Sequence, residues 1–209
     1  MRYFSKSTAN EFIKEFKNNS VLYLNSRIPD MNNEFEWVIL AQHFGVPTCL
    51  LDFTYSHMVS LMFAVENAFK YGEDDEENAV IWFLNPNKLN LASVNRTDII
   101  NLSDETKVLE NAKCPCVVTA MKNNLRVAAQ NGLFVYFSQD AGALEEVKDA
   151  GEFLKKVLIP HNCAQGILAS LYTMGMRFKD IYPELTSVSK DILLKRNVLE
   201  YYRMEAENE

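Results

Sequence analysis

Between Leu40 and Ala68 the chain reads LAQHFGVPTCLLDFTYSHMVSLMFAVENA, and this stretch limits the fold more than any other. It is mostly apolar, yet Gly45 and Pro47 interrupt it just after Gln42 and His43, and Thr54-Tyr55-Ser56 interrupt it again just after Asp52. A glycine with proline close behind it ends a helix. A compact apolar run between turn signals reads as a buried strand. Ser56 ahead of Met58, Leu61, Met62 and Val65 reads as the cap of a second, amphipathic helix. The stretch therefore predicts helix, strand, helix, with polar side chains gathered at the junctions.

The flanking sequence extends this pattern. Ser and Thr ahead of Phe12, Ile13 and Phe16 predict an N-terminal helix, and SVLYLN alternates as a strand does. Phe35, Val38, Ile39, and Gln42 or His43 fall on adjacent turns of the helix that Gly45 closes, and Gly72 is the expected stop of the helix after Ser56. EDDEE at 73–77 reads as a solvated loop. NAVIWFLNP predicts a strand stopped by Asn85-Pro86, and Lys88 to Ala112 reads as helix and irregular linker. PCVVTA and GLFVYFS predict strands on either side of a turn that carries Arg126 and Gln130. FLKKVLIP predicts one more strand, NCAQGILASLYTMG a helix ending at Gly175, and the remainder a turn and a final helix. Strands and helices alternate irregularly and nothing repeats, which favours α+β over a doubly wound sheet. The expectation is a single α+β domain with a mostly antiparallel central sheet flanked by helices.

Composition excludes some functions. With 28 acidic and 21 basic residues the chain carries a net charge of -7, so direct binding to nucleic acid or an anionic membrane is not expected, because phosphate-rich surfaces call for clustered Lys and Arg. No apolar run approaches the roughly 18 residues of a membrane span, and MRYFSKSTANEFIKEF lacks the apolar core of a secretion signal. A cytoplasmic location is the expectation. Cys114-Pro115-Cys116 has no second pair and no neighbouring histidine, so the four cysteines read as buried or inert thiols rather than a zinc site or a disulfide framework.

The residues also carry a resemblance. EWVILAQHFGVPTCLLDFTYSHMVSLMFAVENA resembles the signature of the FRG domain family, with its Gln-His-aromatic-Gly, Pro-Thr, Leu-Leu-Asp, aromatic-Thr and Phe-Ala helix. RVAAQNGLFVYF is similar to the family's Arg…Gln-x-Gly-x-Phe block, and LIPHNCAQGILASLYTMGMRFKDIYPELTSVSKDI to its C-terminal Ile-Pro, helix, Gly and Phe-Pro-x-Leu ending. On this reading residues 1–33 form a divergent N-terminal helix and strand, 34–195 the FRG-like domain, and 196–209 the end of a helix with an acidic tail. The Phe-Arg-Gly tripeptide that names the family is absent. VLYLNSR stands in its position, with Tyr23, Leu24 and Asn25 in its place or Arg27 as the cation nearby.

A more distant resemblance links LDFTYSHMVSLMFA to the strand, hydroxyl residue and Phe-Ala helix of ADP-ribosyltransferases. It implies Arg27, Thr54 and Gln130 at the three motif positions and NAD as substrate, with no tightly bound cofactor. It also implies a toxin or effector of phage and bacterial conflict, carried on a mobile element, with a protein target or partner. A non-catalytic protein-binding module derived from such an enzyme, or a nucleotide hydrolase using His43 and Asp52, stands beside it.

Cleaving a nicotinamide glycosidic bond needs a pyrophosphate clamp, an apolar wall, and a group that stabilises an oxocarbenium ion while activating the acceptor. Arg27 or Arg126 supplies a bidentate clamp; Phe53 and Tyr55 on either side of Thr54 supply a wall. Gln42 and Thr48 complete the set of ligand-binding candidates. Gln130 can orient groups but has no titratable proton, so the base falls to His43, Asp52 or Glu66. Each residue also has a structural reading: Gln42 and His43 as helix-end caps, Asp52 as an acceptor for backbone N–H groups, Thr48 and Thr54 as strand and cap residues, Arg126 as the neutraliser of Asp52.

Overall fold

The computed structural model describes residues 6–24, 29, 30, 33–70, 77–102, 109, 112, 114–120, 125–138 and 141–208. Helices and strands are mixed in it, as the α+β expectation requires. The chain forms two compact units. One takes Met1–Phe53, Leu84–Met121 and Leu133–Leu154; the other takes Thr54–Phe83, Lys122–Gly132 and Lys155–Glu209. The polypeptide passes repeatedly from one to the other, so neither is a separable stretch of sequence.

The first unit opens with α1 (Lys6–Ser20) packed against α2 (Glu34–His43). Asn33 caps α2 by accepting from the Glu36 N–H at 3.4 Å, and the Glu36 carboxylate reaches back to the Asp30 N–H at 3.0 Å. The first bond satisfies a donor that the helix start leaves open, and the second ties the preceding chain to the first turn. Trp37 is fully buried, its indole N–H donating to the Asp30 carbonyl at 3.1 Å while the Lys17 ammonium lies 5.4 Å from its ring centroid. Gly45 then takes φ +83°, a left-handed value that ends the helix where the sequence places its stop.

The strands β1 (Leu50–Thr54), β3 (Ile100–Asn101), β4 (Cys116–Thr119) and β5 (Gly132–Tyr136) form a sheet in the order β1-β5-β4-β3. β4 and β5 are antiparallel, with Val117 opposite Val135, and β3 runs parallel to β4. Against β4 packs α4 (Pro86–Val94), which starts with Asn85 accepting from the Lys88 N–H at 3.1 Å and with Pro86 in the first turn. Leu89, Val117, Leu133, Val135, Leu144, Phe153 and Leu154 make the core.

The second unit holds α3 (His57–Val65), a two-stranded sheet of β2 (Ala79–Leu84) and β6 (Leu154–Ile159), and α5 (Leu125–Ala129). It continues with α6 (His161–Thr173), α7 (Phe178–Ile181) and α8 (Leu185–Asn208). α6 packs on α3 and α8, and α7 on α8 and α5. Met62, Val65, Leu168, Leu171, Ile181, Leu194 and Val198 lie at its centre. Asp191 of α8 accepts from the Phe178 and Lys179 N–H groups at 2.7 and 3.2 Å and so closes the start of α7.

Three local expectations are corrected. SVLYLN gives a 3-10 turn over Val21–Tyr23 instead of a strand; Leu22 and Tyr23 are exposed, so its alternation has no surface to bury against. The compact buried run at TCLLDFT is buried at Leu50 but exposed at Leu51 and Asp52, because β1 lies at an edge of its sheet. The turn carrying Arg126 and Gln130 contains the short helix α5. The helix stop expected at Gly72 and most of the acidic run at 73–77 lie outside the described residues.

Candidate functional site

The first unit holds Gln42, His43, Thr48, Asp52 and Phe53, of which Gln42 and Thr48 are in contact. Gln42, at the end of α2, does not cap its own helix with its side chain: the amide oxygen accepts from the Thr48 hydroxyl, while the Gln42 backbone carbonyl accepts from the Gly45 N–H at 3.0 Å. Thr48 Oγ1 in turn accepts from the Leu50 N–H at 3.2 Å. The pair therefore ties the end of α2 to the start of β1 across the Gly-Val-Pro turn. His43 is half-buried, its ring edge-on to Phe44 at 4.7 Å between centroids. Phe53 is half-buried against the core, and Asp52 is exposed.

The second unit gathers Thr54, Tyr55, Arg126 and Gln130. Thr54 Oγ1 donates to the Gln130 carbonyl at 2.6 Å and accepts from the Ser56 N–H at 2.9 Å. Its hydroxyl is thus engaged by backbone on both sides, one contact fixing the start of α3 and the other fixing the end of α5. The Tyr55 N–H continues the link by donating to the Asn131 carbonyl at 3.2 Å. The Tyr55 side chain is exposed, and its partial burial raises the phenol above its ordinary range.

Arg126 and Gln130 stand one helical turn apart, joined by the Gln130 N–H donating to the Arg126 carbonyl at 2.9 Å. The chain leaves this helix through Asn131 at φ +48° and Gly132, where a Cβ would meet the Val127 carbonyl at 3.4 Å. With its carbonyl held by Thr54, Gln130 keeps its amide Nε2 buried and without a hydrogen-bond partner among the described residues. A buried donor left open is costly, at about 1–3 kcal/mol, and marks a position where a ligand oxygen or a water would fit.

Arg126 lies over the ring of Tyr182, its Cζ 4.8 Å from the centroid. The Tyr182 hydroxyl donates to the Glu66 carboxylate at 3.0 Å, and the Lys190 ammonium lies 5.2 Å from the centroid of the same ring. One half-buried aromatic ring thus organises two cations and a carboxylate. Glu66 belongs to the candidate bases named from the sequence, whereas Tyr182 and Lys190 were not singled out. The sequence signals Tyr182 only as the aromatic residue before Pro183 in the Phe-Pro-x-Leu ending, and gives no signal for Lys190, since a lysine on an amphipathic helix reads as a solvated face. Tyr23, in the position of the family tripeptide, is exposed in the 3-10 turn; Asn25 and Arg27 lie outside the described residues. No group of three His, Cys, Asp or Glu side chains with metal-binding geometry forms among the described residues, and no described helix is long and apolar enough to cross a membrane.

These features define an α+β protein with a polar cluster on its second unit. Residues 1–73 match the family model of the FRG domain. The match takes in the signature from Glu34 to Ala68 and residues 1–33 as well; the two later blocks lie outside it. No curated protein and no solved structure matches the chain.

Proposed function

We propose that the second unit binds a nucleotide and that the protein acts as an ADP-ribosyltransferase-like effector on NAD in phage and bacterial conflict. The observation that carries this reading is the Arg126, Tyr182 and Glu66 arrangement. Arg126 is stacked at 4.8 Å over a ring whose hydroxyl holds a carboxylate at 3.0 Å. Stacking presents the guanidinium as a planar fork for phosphate oxygens, and the carboxylate is the proton acceptor that Gln130 cannot be.

In this reading the C1′–N bond of NAD breaks with its electron pair going to the nicotinamide nitrogen. The Glu66 carboxylate stabilises the positive charge left on the ribose. A water, or a hydroxyl of a target, then forms the new bond at C1′ and gives its proton to Glu66. The Gln130 amide donates to the ligand and orients it. Thr54 acts through Gln130, since its own hydroxyl is already engaged.

Titration of the folded protein with NAD, ADP-ribose, ATP and GTP under thermal denaturation tests the binding step, because a ligand of the native state raises its stability. NAD and ADP-ribose should raise Tm, and Arg126→Met should abolish the rise. Glu66→Gln should keep the rise with NAD and lose release of nicotinamide and any growth arrest on expression. No shift with any of the four at millimolar concentration sinks the reading. A non-catalytic protein-binding module is the second reading, and Gln130, which has no titratable proton at the third ADP-ribosyltransferase motif position, favours it. That module would bind a partner protein and release no nicotinamide.

A further inference from the structure

Lys190 stands on α8 between two aromatic rings. It is half-buried on α8, its ammonium lies 5.6 Å from the Phe178 ring centroid and 5.2 Å from that of Tyr182, and it makes no ion pair among the described residues. A cation withdrawn in part from water is compensated by aromatic faces only in part, and an anion is its natural partner. Glu66 accepts from the Tyr182 hydroxyl, and Asp191, next to Lys190 in sequence, accepts from the two N–H groups at the start of α7. Arg126 lies 4.8 Å from the same Tyr182 centroid, so the two cations are no further apart than their two distances to that point together. Like charges so placed repel, and an anion with two charged groups between them turns that repulsion into attraction.

We propose that Lys190 is the second phosphate ligand of the site on the second unit, and that the site selects a diphosphate over a monophosphate. Arg126 takes one phosphate and Lys190 the other, with Tyr182 as the spacer that fixes their separation. This rests on the reading that Arg126 binds nucleotide phosphate. It adds a residue from the C-terminal helix and the basis of a preference for nucleoside diphosphates, among which ADP-ribose and NAD fall, over monophosphates.

Calorimetric titration of wild type, Lys190→Met, Lys190→Arg and Arg126→Met with ADP-ribose, ADP and AMP separates the two claims. Methionine keeps most of the stem that packs on Phe178 and Tyr182 and removes only the charge, and unchanged Tm values would show that the fold is kept. Lys190→Met should weaken ADP-ribose and ADP at least about tenfold, the loss of one charge-assisted contact, and AMP by less than about threefold. Lys190→Arg should restore the diphosphate affinity, and Arg126→Met should weaken all three ligands. Equal weakening of AMP and ADP by Lys190→Met, or no weakening of either, overturns the role of Lys190 while leaving nucleotide binding in place. Absence of binding of all three by wild type overturns both.

Discussion

Cys116 and Tyr136 face each other across the antiparallel pair of β4 and β5, in register, and burial pushes both the thiol and the phenol up to about 12. For Tyr136 the neighbouring Cys49, Cys116 and Glu34 add to the burial. Side chains directly opposite on antiparallel strands share one face of the sheet, so two acids whose charged forms are disfavoured sit side by side. The neutral pair is the stable one.

This relationship predicts an alkaline limit on stability. Because the folded pKa of the Cys116 thiol lies above its ordinary 9.0, the folded state keeps a proton that the unfolded chain gives up. The contribution is therefore intact below about pH 9 and is lost as pH rises towards 12, by at most about 4 kcal/mol for the three-unit shift. In urea unfolding, the ΔG of wild type should fall relative to that of Cys116→Val between pH 9 and 11. Curves that stay parallel through this window would show that the thiol does not titrate with folding.

A second prediction concerns Asn90, which is fully buried in α4. Its amide donates to the carbonyls of Asp98 and Val117 at 2.8 and 3.0 Å, and its Oδ1 accepts from the Val117 N–H at 2.6 Å. The side chain thus takes the place of a strand beside Val117, since the two-residue β3 pairs with β4 only at Val118 and Thr119. Asn90→Leu, similar in volume, leaves three backbone groups open and should cost on the order of 3 kcal/mol. Asn90→Asp retains the acceptor and loses both donors, and leaves a buried carboxylate beside two carbonyls. It should be no better at pH 7 and should recover in part as acid protonates it. Chemical denaturation of the two variants at pH 7 and pH 4 checks both statements, and a cost below about 1 kcal/mol for Asn90→Leu would sink them.

These two cases show what the sequence discloses and what it withholds. The helix from Glu34, the strand at Leu50–Thr54, the cap at Ser56 and the strand stopped by Asn85-Pro86 are local events, written in turn residues and apolar spacing, and they were legible. Asn90 was not, because an asparagine inside a helix looks like a surface residue until β4, some twenty-seven residues on, passes beside it. The same holds for the candidate site. Gln42, Thr48 and Thr54 stood out by residue type, but their hydroxyls and amide turn out to be tied to each other and to backbone. The Arg126, Tyr182, Glu66 and Lys190 cluster depends on packing between α5, α7 and α8, which no single-sequence pattern encodes.

Gly45 offers a clean test of backbone strain. At φ +83° a side chain is disfavoured, yet a Cβ there would meet nothing within 4 Å. Any cost of Gly45→Ala is then conformational, about 1 kcal/mol, with Gly45→Asn costing less because asparagine tolerates the left-handed region. Thermal unfolding of the two variants orders them, and an alanine variant as stable as wild type would mean that the chain relaxes at this turn.

The last prediction separates the two roles that Thr54 could hold. If its hydroxyl serves by donating to the Gln130 carbonyl and accepting from the Ser56 N–H, serine should do the same work, and Thr54→Ser should keep nearly all of the stability and of the ligand-induced rise in Tm. Thr54→Val keeps the shape and removes both hydrogen bonds, so it should cost about 1–2 kcal/mol. It should also weaken ADP-ribose binding indirectly, by releasing the end of α5 that carries Gln130. Gln130→Met, which retains the carbonyl anchor and removes only the buried amide, should leave the Thr54 links intact, should not lower Tm, and should weaken the ligand by itself. A Thr54→Val variant that binds normally despite its lower Tm would show that the fixed position of Gln130 is a matter of folding alone. Loss of binding in both Thr54→Val and Gln130→Met, with Thr54→Ser unaffected, is the pattern expected of a positioning residue and the group it positions.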